Sequence, residues 1–266
     1  MVKGSITEHF SWNNLKPVHS EPILFVVSQW QSNKTQSGVI YLIYRTAVAA
    51  FLLTTWGMTF MESSWPIFLT NWGYTLVTFQ ATLGFVLSCA TVLSNVFSAK
   101  NIHDSFLKLY PVYWVLHQMA VSIGFMITII FWTILAPGMP FVLLSFFVHG
   151  CNSILLFIDL LIIGHPIRIL HFVYPLMFGV SYAIFSVAYY YYDINRGGSG
   201  YVYFILDWNK PLPAFLVVLG VALLIVFLHL FSFIIHTLKL LLHNRLYPES
   251  AKSTTNKTQS TEQLPV

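Results

Sequence analysis

This 266-residue chain is poor in charge: 13 Lys and Arg with 9 Asp and Glu make up only 8% of it. Soluble domains carry about 25% charged residues. A globular surface covered by water is thereby excluded. Cysteine is nearly absent. Cys89 and Cys151 both fall inside apolar runs, which excludes a disulfide framework and leaves them as small apolar fillers. No cleavable signal peptide is expected, because the first twenty residues are polar and the first apolar stretch lacks a small-residue cleavage site. No internal repeat and no close-spaced pair of metal ligands is legible. The pI near 9.0 is not a nucleic-acid signal, since the excess base is spread over segments that flank apolar runs and face anionic lipid.

What the chain has instead is apolar length. Residues of apolar type make up 56% and gather into six segments, Val39–Met61, Pro66–Phe97, Pro111–Leu135, Phe141–Ile163, Ile167–Tyr190 and Pro213–Leu242. About 20 apolar residues cross the hydrocarbon core as a helix, and backbone amides in lipid must be satisfied within the segment. The expected fold is all-α: a polytopic membrane protein with a six-transmembrane-helix bundle over 38–245. A cytoplasmic N-terminal segment, 1–37, precedes it. A disordered cytoplasmic tail, 246–266, rich in Ser, Thr, Asn and Gln, follows it.

Basic residues orient the bundle, because Lys and Arg stay on the cytoplasmic side. Lys3, Lys16, Lys34 and Arg45 lie at the first segment or before it, Lys100 and Lys108 in the 2–3 loop, and Arg168 in the 4–5 turn. Lys239, Arg245, Lys252 and Lys257 lie at the C-terminal end. These are 11 of the 13; only Arg196 and Lys210 fall on the other side. Both termini are expected in the cytoplasm of a plasma-membrane protein. Pro22–Trp30, with Phe25, Val26 and Val27, reads as a short interfacial segment. Trp56, Phe60, Trp65, Trp72 and Tyr189 to Tyr192 read as anchors at the outer boundary. The long outer loop Asp193–Leu212 reads either as a lid packed on the bundle or as an external recognition loop.

Polar groups inside the membrane are costly, so each is a candidate functional residue. In the fourth segment Ser145, His149, Asn152 and Asp159 fall within an arc of about 80° at about 100° per residue. In the second, Asn71, Thr75, Thr78 and Thr82 form a stripe, with hydroxyls that can bond the carbonyl four residues back. At 1.5 Å per residue, Thr70 lies about 6 Å below the outer entry, His149 about 12 Å and Asn152 about 16 Å. These three are expected to share an outer-half cavity, with Asn71, Thr75, Ser145 and Asp159 lining the interior. His117, Asp159, His171 and His229, all in the inner half, offer a weaker metal-ligand set on four separate helices. Otherwise they are interhelical hydrogen-bonding groups. His229, His236 and His243, with Ser232 and Lys239, read as the polar face of a helix emerging into the headgroups.

Three runs resemble the rolling stone family in order and spacing over roughly residues 25–245. They are Phe68-Leu69-Thr70-Asn71-Trp72-Gly73-Tyr74-Thr75, then Val148-His149-Gly150-Cys151-Asn152-Ser153 through Asp159. The third is Asn195-Arg196-Gly197-Gly198 through Tyr201-Val202-Tyr203 and Leu206-Asp207-Trp208. The resemblance implies a six-span membrane protein associated with myoblast fusion in insects. That family is distantly similar to the androgen-induced transmembrane hydrolases, which cleave fatty-acid esters of hydroxy fatty acids with an intramembrane threonine and a histidine. Phe68-Leu69-Thr70 resembles the threonine run of those enzymes. Their histidine run is kept at His149, but the catalytic histidine position is Asn152, and an amide cannot accept a proton as imidazole does.

Two functions follow. The first is a non-enzymatic role in cell–cell contact or membrane fusion, through membrane lipid and protein partners at the cell surface or the tail. The second is lipid-ester hydrolysis with Thr70 as nucleophile and His149 as base. A metal- or haem-binding bundle is a third reading. Neither of the first two calls for a cofactor or for nucleic acid.

Overall fold

The computed structural model describes residues 11–61, 64–97 and 105–248. Within these, six helices are long and apolar enough to cross a membrane: α1 Val39–Thr59, α2 Leu69–Val96, α3 Tyr110–Leu135, α4 Leu143–Ile162, α5 Ile169–Ile194 and α6 Pro211–Leu246. The protein is an all-α integral membrane protein, as its composition requires. The expected tail disorder and the charges at Lys3, Lys100, Lys252 and Lys257 lie outside the described residues.

Local chemistry sets the helix starts. Pro111 and Pro211 sit in the first turns of α3 and α6, where the missing N–H is not needed and the fixed φ is already helical. In the α3–α4 link, Gly138 turns the chain with φ 87°, a left-handed conformation that side chains resist.

Neither α3 nor α4 is regular throughout. The last five residues of α3, Phe131–Leu135, and the second turn of α4, Phe147–Cys151, are π-helical. Each π turn closes its hydrogen bonds five residues on and so holds one extra residue.

The third helix is the axis of the bundle, packed against α2, α4, α5 and α6, while α1 leans on α2. The core runs through Leu52, Tyr74, Ala120, Ile123, Leu156 and Ile225. Residues 11–37 gather at one end with the α2–α3 and α4–α5 connections; this end is called proximal. The other three connections form the distal end.

The segment Pro22–Trp30 is not interfacial. Its 3-10 turn Pro22–Val26 drives Phe25, Val26 and Val27 into the proximal end, each at most 1% exposed. Phe25 is walled by Leu87, Tyr110, Tyr113 and Trp114. Backbone bonds fix it there: Gln29 N–H to Ile162 O at 2.8 Å and Gly164 N–H to Val27 O at 3.0 Å. Arg168 donates to the carbonyls of Lys16 and Val18, 2.9 and 3.1 Å away. Apolar side chains facing a bundle that leaves a gap between helix ends gain more by filling it than by resting among headgroups.

Candidate functional site

The proximal half of the bundle holds a buried polar network that five elements assemble. Arg45 on α1 is 1% exposed and makes four hydrogen bonds. Its Nη1 donates to Asp159 Oδ1 on α4 at 2.8 Å, Nε and Nη2 to the Tyr41 hydroxyl at 2.9 and 2.5 Å, and Nη2 to the Tyr113 hydroxyl at 2.8 Å. Tyr44 donates to the same carboxylate oxygen at 3.0 Å. His117 Nε2 on α3 stands 3.2 Å from Asp159 Oδ2 without the alignment of a hydrogen bond. Its ring meets that of His165, in the α4–α5 link, edge-on at 4.6 Å. Lys239 on α6 donates to the carbonyls of Leu160 and Ile163, 2.8 and 2.6 Å away. Those carbonyls end α4 and have no intrahelical partner, so a cation there caps the helix.

This network corrects two expectations. Arg45 and Lys239, counted at the start of the first segment and at the C-terminal end among the charges that orient the bundle, are buried members of it, 1% and 3% exposed. His229, Ser232, His236 and Lys239 do not emerge into headgroups. All four are buried and turn toward the other helices. The signal was present for Asp159 and His117, ionisable groups deep in apolar runs. It was absent for Arg45, whose depth in α1 lets a long side chain reach either water or the interior.

The donors His117, Asp159, His171 and His229 do not converge on a metal. Among the described residues no group of three or more His, Cys, Asp or Glu side chains is placed to hold one. Asp159 is committed to Arg45. His229 Nε2 faces Arg168 O at 2.9 Å, and His171 packs edge-on to Trp114 at 4.8 Å.

At the distal end lies an apolar cavity of about 90 Å³ between α2, α3, α5 and α6, several times what one water needs. Thr70, Tyr182 and Tyr203 are its hydroxyl-bearing lining residues; Ile130, Phe131, Val180, Leu206 and Val221 are among the apolar ones. Val180 is 48% exposed on the surface that lipid covers, so the cavity opens sideways. The 5–6 loop roofs it. Trp208 Nε1 donates to Ser186 Oγ at 3.0 Å, and the ring of Tyr203 packs on Phe68. The loop is thus packed on the bundle, as the lid reading has it. Tyr203 lines the cavity beside Thr70 and Tyr182, and burial raises its hydroxyl above its ordinary range. Tyr182 donates to Ile67 O at 2.7 Å.

His149 is not among the residues lining that cavity. Its ring lies flat on Phe131, centroids 3.5 Å apart, and Nδ1 turns to its own helix at Ser145 O, 2.8 Å away. Phe131 therefore stands between the cavity and the imidazole, while Thr70 faces the cavity beside Tyr203. The π turn explains this. Its extra residue rotates Ser145 by about 100° against Asn152 and Asp159, and His149, midway through the turn, by part of that, so the four do not share the single arc that a regular helix would give. Asn152 is 1% exposed against Gly124 of α3, and neither amide atom has a hydrogen-bond partner. Asn71 donates to Trp65 O at 2.9 Å, and Thr75 accepts from Trp56 Nε1 at 2.8 Å. Thr75, Thr78 and Thr82 each bond the carbonyl four residues back at 2.6 to 2.8 Å, the packing role open to such a stripe.

Comparison with known proteins adds a third line of observation. The sequence profile of the family described as protein rolling stone matches residues 5–252. The chain is 32% identical over 234 residues to Protein rolling stone of Drosophila melanogaster, covering 81% of this chain and 83% of that protein. No solved structure matches.

Proposed function

The chain belongs to the rolling stone family, and from that premise we propose that it acts without catalysis in cell–cell contact or membrane fusion of the myoblast-fusion type. It works in the plasma membrane, with both termini cytoplasmic, through membrane lipid and protein partners. The observation that supports a non-enzymatic role is the placing of Phe131. A threonine nucleophile needs a base within hydrogen-bond reach of its hydroxyl. Here Thr70 lines a cavity that His149 does not, and the His149 ring is stacked behind Phe131. The cavity that remains is apolar, laterally open and roofed, which suits an acyl chain held in the outer leaflet rather than turned over.

One observation favours lipid-ester hydrolysis as a second reading: the Thr70 hydroxyl lines a cavity fit for an apolar chain, with two tyrosine hydroxyls around it. The test is a lipid-ester hydrolysis assay on the purified chain in vesicles, beside a content-mixing assay between cells that display it. The expected result is mixing that depends on the chain, and no ester turnover above vesicle background. Turnover abolished by Thr70→Ala would overturn the non-enzymatic reading, and mixing indifferent to the chain would overturn the fusion role.

A further inference from the structure

The distal cavity does not account for the proximal histidines. His165 is 0% exposed at the mouth of the polar network. Its ring lies parallel to Phe25, 4.9 Å between centroids at 8°, so the N-terminal segment seals it. The backbone bonds that hold the segment flank this residue: Ser28 bridges Ile163, and Gly164 N–H bonds Val27 O at 3.0 Å. Its Nε2 has no hydrogen-bond partner, and Nδ1 has only Pro166 O at 3.4 Å.

The groups around it decide what a proton would meet. From α3 come Tyr113, edge-on at 5.5 Å, and His117 at 4.6 Å. Asp159 of α4, Arg45 of α1, and His236 and Lys239 of α6 lie in the same network. His19, on the segment itself, packs edge-on to Phe25 at 6.0 Å. The one carboxylate among these is already bound by Arg45 and Tyr44. A protonated His165 would be a further cation with no anion left for it and, at 0% exposure, no contact with solvent.

We propose that His165 is a proton-binding site that latches the N-terminal segment. Neutral, its ring is the floor on which Phe25 rests; protonated, it requires water, and the segment 22–30 lifts to admit it. The sign of the pH dependence follows. Burial, then the charges of His117, Lys239 and Arg45, push its pKa well below the ordinary imidazole value in the closed form. The open form titrates near its ordinary value of about 6.5 and binds more protons. Closure is therefore fully present above about pH 6.5 and is lost as pH falls below it.

Hydrogen exchange of the full chain in lipid nanodiscs tests this, with each rate divided by the unstructured rate at the same pH. Between pH 7.5 and 5.5, protection of amides in residues 22–30 and 163–165 should fall about tenfold per unit below pH 6.5. Protection in the distal half of α2 should stay level. His165→Gln should flatten the pH dependence, and His19→Gln should leave it in place. Flat wild-type protection overturns the latch. So does an equal slope in His165→Gln, a slope removed by His19→Gln alone, or a loss spread over every helix. If His165→Gln does not fold, His165→Asn carries the same comparison.

Discussion

Arg45 is held as a guanidinium can be held and an ammonium cannot, with donors directed at three partners on two other helices and its own. Removing the only anion of the set leaves that charge buried and uncompensated, a change that costs about 3–5 kcal/mol in buried ion pairs. Asp159→Asn keeps the shape and removes the charge. It is expected to lower unfolding free energy by about that amount in denaturant titrations of the detergent-solubilised protein. Thr82→Val is the matched control. Its hydroxyl bonds only the Thr78 carbonyl of its own helix at 2.8 Å. The loss should stay below about 1 kcal/mol. Equal losses for the two would mean that Arg45 finds other compensation. The sequence makes Asp159 and His117 conspicuous, because an ionisable group amid apolar residues is expensive anywhere in lipid. It cannot name Arg45 as their partner, since depth along a helix says nothing of which residue on a neighbour faces it.

The seam between α3 and α4 depends on a missing side chain. A Cβ at Gly124 would overlap Leu156 Cδ1 and press on the Asn152 amide at 3.3 Å. Gly124→Ala is expected to destabilise the bundle by about 1–3 kcal/mol, the usual cost of overpacking. Gly220 on α6 has nothing within 4 Å of the same atom. Gly220→Ala should be neutral or stabilise by up to about 1 kcal/mol through helix propensity. Thermal unfolding of both variants under one detergent condition checks the contrast, and a destabilised Gly220→Ala would show that α6 has a close partner at that point. Six spans were legible because each apolar run matches the thickness of a bilayer. Their ends shifted by only a few residues; α1 closes at Thr59 rather than Met61, for example. The π turn of α4 was not legible. An extra residue in one turn leaves no mark on composition or hydropathy, yet it turns Ser145 and His149 relative to Asn152 and Asp159, and the His149 ring comes to rest on Phe131 of α3.

At the scale of the molecule, orientation in the membrane rests on charges that remain free to choose a side. Arg45 and Lys239 are bound inside the bundle and drop out of that choice. Without them the bias among the described residues is Lys16, Lys34, Lys108, Arg168 and Arg245 at the proximal end against Arg196 and Lys210 at the distal end. By the tendency of Lys and Arg to stay on the cytoplasmic side, that asymmetry leads us to expect the proximal loops in the cytoplasm. The N-terminal segment reinforces it. With Phe25, Val26 and Val27 docked under the helix ends and Arg168 clasping its backbone, residues 11–37 are part of the folded bundle and share its side. An even number of spans then returns the C-terminus to that side. Epitope tags at either terminus should stay hidden from antibody in intact cells and become labelled on permeabilisation. A tag inserted at Ser199, exposed in the 5–6 loop, should be labelled without it. Glycosylation gives an independent reading: a sequon placed at the same loop should be modified, and one placed at Lys16 should not. Surface labelling of a terminal tag would invert the molecule. The roofed cavity would then face the cytoplasm and the His165 latch the exterior, and a role in cell–cell contact would have to be built on residues 11–37 instead of the Tyr203 loop.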